Sequence, residues 1–149
     1  MILLAAACIP AGAADRASDT DAVRASAYAF LMASGYTVNH RSPPSFCLGI
    51  ADGWPATTLA DPSPAAFPAA AAEGPQVKRA SQCPEGGVVL YTARVKWLDD
   101  ARAMVEAGVL RLHSRYYRTW KERADRRSIT IEWQPDLGWV ATGMEITAR

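Results

Sequence analysis

Histidine is scarce in this chain, with only His40 and His113 among 149 residues. A side chain that titrates near neutrality is the simplest general base. No motif in the sequence places an acid or nucleophile to work with either histidine, so each reads as a surface or hairpin residue. Cysteine is nearly as rare: Cys8, Cys47 and Cys83. There is no CxxC, which excludes a zinc ribbon or a thioredoxin-type centre at the level of motif. The sequence has no G-x-G-x-x-G, no Walker loop, no GxSxG elbow and no HExxH, so no cofactor, metal or catalytic residue is expected from motifs. The one tight carboxylate pair, Asp99-Asp100, reads as a solvated turn. No apolar run approaches the roughly 20 residues that span a bilayer. Sixteen basic and fifteen acidic residues leave a net charge of +1, against a general nucleic-acid coat and without a specific nucleic-acid partner.

What is present suits one compact domain. Half of the residues are hydrophobic, and a chain of this length buries enough surface for a single core. Residues 1–14 read MILLAAACIPAGAA: an apolar run over Ile2–Ile9, then the small-x-small pattern Ala11-Gly12-Ala13. That pattern predicts a leader at 1–14 and a mature domain at 15–149, placing the protein in the periplasm or outside the cell. Leu4-Ala5-Ala6-Ala7-Cys8 loosely matches a lipobox, which makes a lipid anchor through Cys8 the minor alternative. Either route consumes Cys8 and leaves an even pair in an oxidising space. Cys47 and Cys83 are therefore predicted to form a disulfide.

Along the chain, Asp15–Thr20 reads as a frayed polar start. Asp21–Gly35 carries Val23, Ala27, Phe30 and Leu31 at helical spacing, with Ser18 or Thr20 as cap and Gly35 as stop. Phe46–Ala51 is a short apolar run with the look of a buried strand. Residues 56–75 are rich in alanine and proline: either a helix of at most two turns, capped by Ser63 with Pro64 first, or a linker. Gly86-Gly87 reads as a hairpin turn. From Val77 the texture becomes β-rich. Val88–Leu98 alternates from Tyr91 to Trp97, and Ala101–Leu112 is read as a strand over a competing helix. Ser128–Gln134 and Trp139–Thr147 flank the turn Pro135–Gly138. Trp97, Trp133 and Trp139 are predicted as core or rim anchors of the sheet. The fold class is α+β: an N-terminal helix packed on a twisted antiparallel β-meander, with a Pro/Ala-rich middle.

Helix, broken middle, then twisted antiparallel sheet resembles the nuclear-transport-factor-2-like cone folds. The ending Gly138-Trp139-Val140 after a β-turn looks like that of small exported bacterial proteins of unknown role. The resemblance covers the layout from Thr20 to Ile146. It implies a fold that hosts isomerases, dehydratases and binding modules, and it carries over no site residue.

The most unusual stretch is Arg111–Arg127, with seven basic and two acidic residues interleaved with Tyr116, Tyr117 and Trp120. Such a mixture holds anions by charge and stacks on planar groups. Arg111, Arg115, Arg118, Trp120, Lys121, Arg126 and Arg127 are the candidate anion-binding surface. In an exported protein its partner would be acidic lipid or polysaccharide at a membrane surface. The resulting expectation is a small exported, non-catalytic accessory or binding domain. The alternatives are a cone-fold isomerase or hydrolase with a pocket between helix and sheet, and a lipid-anchored envelope component of a larger assembly.

Overall fold

The computed structural model describes residues 16–34, 45–53, 56, 58–68, 77–112, 120–122 and 126–147. The expected leader at 1–14 with Cys8, both histidines, Arg115 and Arg118 lie outside them.

Helix α1 spans Arg16–Ala33, starting five residues before the expected Asp21. Its early start has a tertiary cause. The Arg16 guanidinium stacks 3.9 Å from the centroid of the Trp97 ring and donates to Asp100 at 2.8 Å, so the first turn is fastened to the sheet. Asp19 in that turn complements the positive end of the helix dipole. Ser18 and Thr20, expected as caps, are helical residues instead. At the other end the Ser34 hydroxyl and amide both donate to the Phe30 carbonyl, at 2.8 and 3.1 Å. Of the expected stripe Val23, Ala27 and Leu31 are fully buried, whereas Phe30 is half-buried and Tyr28, not expected there, is fully buried in its stead.

Among the described residues eight strands follow: β1 (Phe46–Ala51), β2 (Leu59–Ala60), β3 (Val77–Arg79), β4 (Val88–Asp99), β5 (Arg102–Leu112), β6 (Trp120–Glu122), β7 (Arg126–Gln134) and β8 (Gly138–Thr147). They make one sheet in the order β2-β1-β4-β5-β7-β8, with β3 also on β1 and β6 also on β5. From β4 onward the pairing is the expected antiparallel meander. The start is not. β1 runs parallel to β4, with Phe46 opposite Val88 and Ile50 opposite Thr92, and parallel to β3 on its other edge. The Gly86-Gly87 turn is consequently a crossover step and no hairpin. Gly86 takes φ +79°, a conformation that favours glycine, and the Gly87 amide closes the turn on Pro84. Among the described residues of the proline-rich middle only Pro64–Ala66 is helical, as a single 3₁₀ turn, and the rest of the 56–75 segment after Pro68 lies outside them. Ser63 precedes it, but its hydroxyl donates to Asp21 of α1 at 2.8 Å, clipping this segment to the helix.

One face of the sheet carries the main core. Phe46, Leu48, Val88, Leu90, Ala103, Val105, Ile129, Ile131 and Trp139 pack under the α1 stripe. The other face is apolar only where β1, β4 and β5 meet. There Cys47, Ala51, Val89, Tyr91 and Leu110 lie beneath the β2 strand and the 3₁₀ turn Ala80–Gln82. Cys47 and Cys83 sit at bonding distance with Cα atoms 5.7 Å apart, the predicted disulfide, and it pins this cover to β1. Gly108 is required here: a Cβ on it would overlap the buried Tyr91 ring, which lies flat across it. An extra residue in β4 between Thr92 and Val95 keeps both on the helix side, so Val95 and Trp97 continue the core face.

Candidate functional site: a groove between the helix and an edge strand

Trp139 is the first long side chain after the Gly138 turn, and the strand alternation sends it to the helix face. Trp97 arrives there from β4 because of the bulge, and Trp133 from the Ile129-Ile131 alternation of β7. The three indoles form one edge-to-face chain. Ring centroids are 5.4 Å apart for Trp97–Trp139 and 5.6 Å for Trp133–Trp139, with interplanar angles of 71° and 65°. Each such contact adds about 0.5–1.5 kcal/mol beyond burial. Trp139 is 9% exposed, and Trp97 and Trp133 are half-buried. The expected anchoring role is therefore met.

Beside Trp139 lies a groove of about 360 Å³. Its long wall is the α1 stripe Ala22, Ala25, Ser26 and Ala29; Ala65 and Pro68 line it from the clipped middle segment. Small side chains at i, i+3, i+4 and i+7 leave a channel where leucines would have filled it. The lining brings one hydroxyl, on Ser26, and one N–H donor, on Trp139.

The electrostatics at this end are unusual for their unmet donors. The Nε1 atoms of Trp133 and Trp139 are buried without an acceptor, and so is Nη1 of Arg16. A buried donor left unpaired costs about 1–3 kcal/mol. Here three such donors belong to side chains that touch in sequence: Arg16 on Trp97, Trp97 on Trp139, Trp139 on Trp133. Asp100 already balances the Arg16 charge, so the cluster presents donors with little net charge.

Deeper under α1 the polar groups are fully matched. Arg24 donates to the Thr92 hydroxyl at 2.5 Å and to the Ala93 carbonyl at 3.2 Å. The Tyr28 hydroxyl donates to the Gly49 carbonyl at 2.6 Å and lies 3.1 Å from the Thr92 hydroxyl. With its own proton given to Gly49, Tyr28 accepts from Thr92, which in turn accepts from Arg24. Burial, partly offset by the Thr92 hydrogen bond, pushes the Tyr28 phenol up to about 12. Desolvation likewise lowers the Arg24 guanidinium, against the opposing pull of Tyr28 and Asp21. This chain fixes α1 on β1 and β4, and so fixes the groove wall.

The sequence-predicted surface is dispersed. Arg111 on β5 faces Lys121 on β6 in the strand register, and Leu112 faces Trp120. Arg126 is ion-paired with Glu106. Arg127 shares the core face with Ile129 and Ile131 and is only 7% exposed, and desolvation lowers its pKa. A second depression, about 720 Å³ and broad, is lined by Pro64, Phe67, Val77, Lys78, Arg79 and Gln82. The groove and its donor cluster were missed in sequence. Its only sequence signal is the small-residue stripe Ala22, Ala25, Ser26, Ala29, which looks the same as helix packing. Among the described residues no cluster of His, Cys, Asp and Glu suits a metal, and no helix is long and apolar enough to cross a membrane. No family model matches the chain, and no curated protein or solved structure is significantly similar to it.

Proposed function

We propose that the protein is a small exported binding domain, and that its ligand occupies the groove between α1 and Trp139. The observation that carries this reading is the buried Trp139 Nε1, without an acceptor, on a residue that lines an apolar groove, with the acceptor-less donors of Trp133 and Arg16 joined to it through the chain of ring contacts. Ligand sites are mostly apolar concavities with a few placed polar groups, and this end of the molecule has that composition. The ligand class that answers it bears neutral oxygen acceptors, since the Arg16–Asp100 pair has already cancelled the local charge. The disulfide and the lack of a membrane-spanning helix among the described residues are compatible with export. The test is a fragment titration followed by NMR at the indole N–H signals. Amide and carbonyl fragments are expected to shift the Trp133 and Trp139 signals and those of the α1 alanines. Shifts scattered over the surface would overturn the reading.

A second reading keeps the acidic lipid or polysaccharide partner. It is favoured by the excess of basic residues over Arg111–Arg127, of which Arg111 and Lys121 are opposite each other in the strand register. Arg126 contributes less to it, being already engaged by Glu106, and so does the buried Arg127. Co-sedimentation with anionic liposomes or an acidic polysaccharide is expected at low salt and lost in Arg111→Glu with Lys121→Glu. Binding that survives the double variant would end this reading.

A further inference from the structure

We propose that the occupant of the groove is an extended peptide segment of a partner protein, added as a strand along the outer edge of β8. This rests on the reading of the groove as the binding site and names what enters it. β8 is ten residues long and closes the sheet, and among the described residues no strand pairs with its outer edge. The opposite end of the sheet order is β2, only two residues long. Natural sheets blunt a long edge with charged residues (lysine above all), proline, a bulge or a cover, and of these β8 has only Glu145 and one bulge. The β8 sequence GWVATGMEIT has no lysine and no proline, and Ile146 on it is 54% exposed. Its one irregularity is an extra residue at Thr142, opposite the Thr130–Ile131 step of β7. A strand added beside β8 points alternate side chains to the helix face. That is the side on which Trp139, Ala141 and Met144 meet the core and the α1 alanines leave space. Strand addition draws affinity from main-chain hydrogen bonds and specificity from pockets for alternate side chains.

The chemistry of the peptide follows from its two faces. Toward α1 the channel is walled by methyl groups, so the inward residues are small. Toward the solvent face the nearest charge is Glu145 on β8; on β7, Glu132 stands opposite Arg102 of β5, and Arg126 is satisfied by Glu106. The outward residues are therefore basic.

The probes are blocked decapeptides that alternate alanine or serine with lysine, beside versions with glutamate in place of lysine. Binding is read from tryptophan fluorescence and from amide shifts of the isotope-labelled protein. The lysine peptides are expected to perturb the Gly138–Thr147 amides and to bind at least ten-fold tighter than the glutamate ones at low salt. Methylating every second backbone nitrogen, tested in both phases, is expected to weaken binding ten-fold or more in one phase only. Ala25→Arg, which fills the channel from the outer helix wall, should abolish it. If both methylated phases bind as the parent does while Ala25→Arg still abolishes binding, the groove stands and strand addition is overturned. Indifference to Ala25→Arg overturns the groove itself. A concentration-dependent dimer with the same β8 shifts and no peptide response would assign the edge to a second copy of this chain and refute a peptide partner. No β8 response to any peptide at millimolar concentration also refutes it.

Discussion

Tyr28→Phe removes one oxygen from beneath α1 and tests the polar chain that holds the helix to the sheet. In the wild type the phenol donates to Gly49 and receives the Thr92 proton. Phenylalanine leaves the Gly49 carbonyl and the Thr92 hydroxyl each short of a partner, in a site where Tyr28 and Thr92 are 0% exposed. One unmet buried group costs about 1–3 kcal/mol and the two are coupled, so we expect a loss of about 3 kcal/mol. For a chain of this size that lowers Tm by roughly 6–12 °C. The pH dependence gives a second, sharper readout. The folded-state phenol titrates near 12, against an ordinary value of 10.0. Between these values the unfolded chain has released its proton and the folded one keeps it, so stability falls as pH rises. The Tyr28 contribution is complete below pH 10 and shrinks by about 1.4 kcal/mol per pH unit above it. Other tyrosines and lysines titrate equally in both proteins and cancel in the difference. Urea midpoints measured from pH 8 to 11.5 should therefore converge for wild type and variant. A gap that stays constant across that range, or no gap at pH 8, would refute the network.

Reducing the Cys47–Cys83 bond reopens a loop of 36 residues and should cost about 4 kcal/mol in the chain-entropy model, read from the urea midpoint with and without reductant. Gly108→Ala forces a methyl into the Tyr91 ring and should cost about 3 kcal/mol; most of that should return when Tyr91→Leu is added. Glu106→Gln breaks the half-exposed pair with Arg126 and should cost under about 1 kcal/mol, an effect that fades in high salt. Protein recovered from cells should begin after Ala13 or Ala14 by mass spectrometry, and an intact Met1 on disulfide-bonded protein would remove the leader.

Much of the sheet was legible because its signal is local. Ile129, Ile131 and Trp133 alternate without interruption, and one face of that alternation is the core. Ala103, Val105, Ala107 and Val109 decided a strand over a helix in the same way, and β5 buries all four. The disulfide followed from counting thiols. What sequence could not reveal is partner choice. Phe46–Ala51 is buried on both faces, and a run without alternation carries no mark of which strand lies beside it or in which direction. The bulge after Thr92 was invisible for a related reason: one inserted residue changes the phase without changing the composition. Arg126 and Arg127 looked like neighbours on one charged surface. Alternation sends one to Glu106 on the outer face and buries the other beside Ile129. The groove was hidden because alanine at helical spacing is the commonest of patterns, and unmet donors leave no motif.

The parallel pairing of β1 with β4 has a consequence for the order in which the molecule assembles. β4–β5 and β7–β8 join through turns of two and three residues, and β5–β7 through residues 113–125, so each pairing closes a smaller loop than the β1–β4 pairing does. β1 must instead find Val88–Thr92, some forty positions downstream, and carries Cys47 with it. The meander is thus the template and the N-terminal third its late arrival. β3 and the turn that bears Cys83 pack on β1, so this cover and the disulfide form with β1 and not before it. In a pulse of oxidant during refolding, bond formation should trail the appearance of meander amide protection, so the disulfide acts as a seal set on a chain that has already chosen its topology.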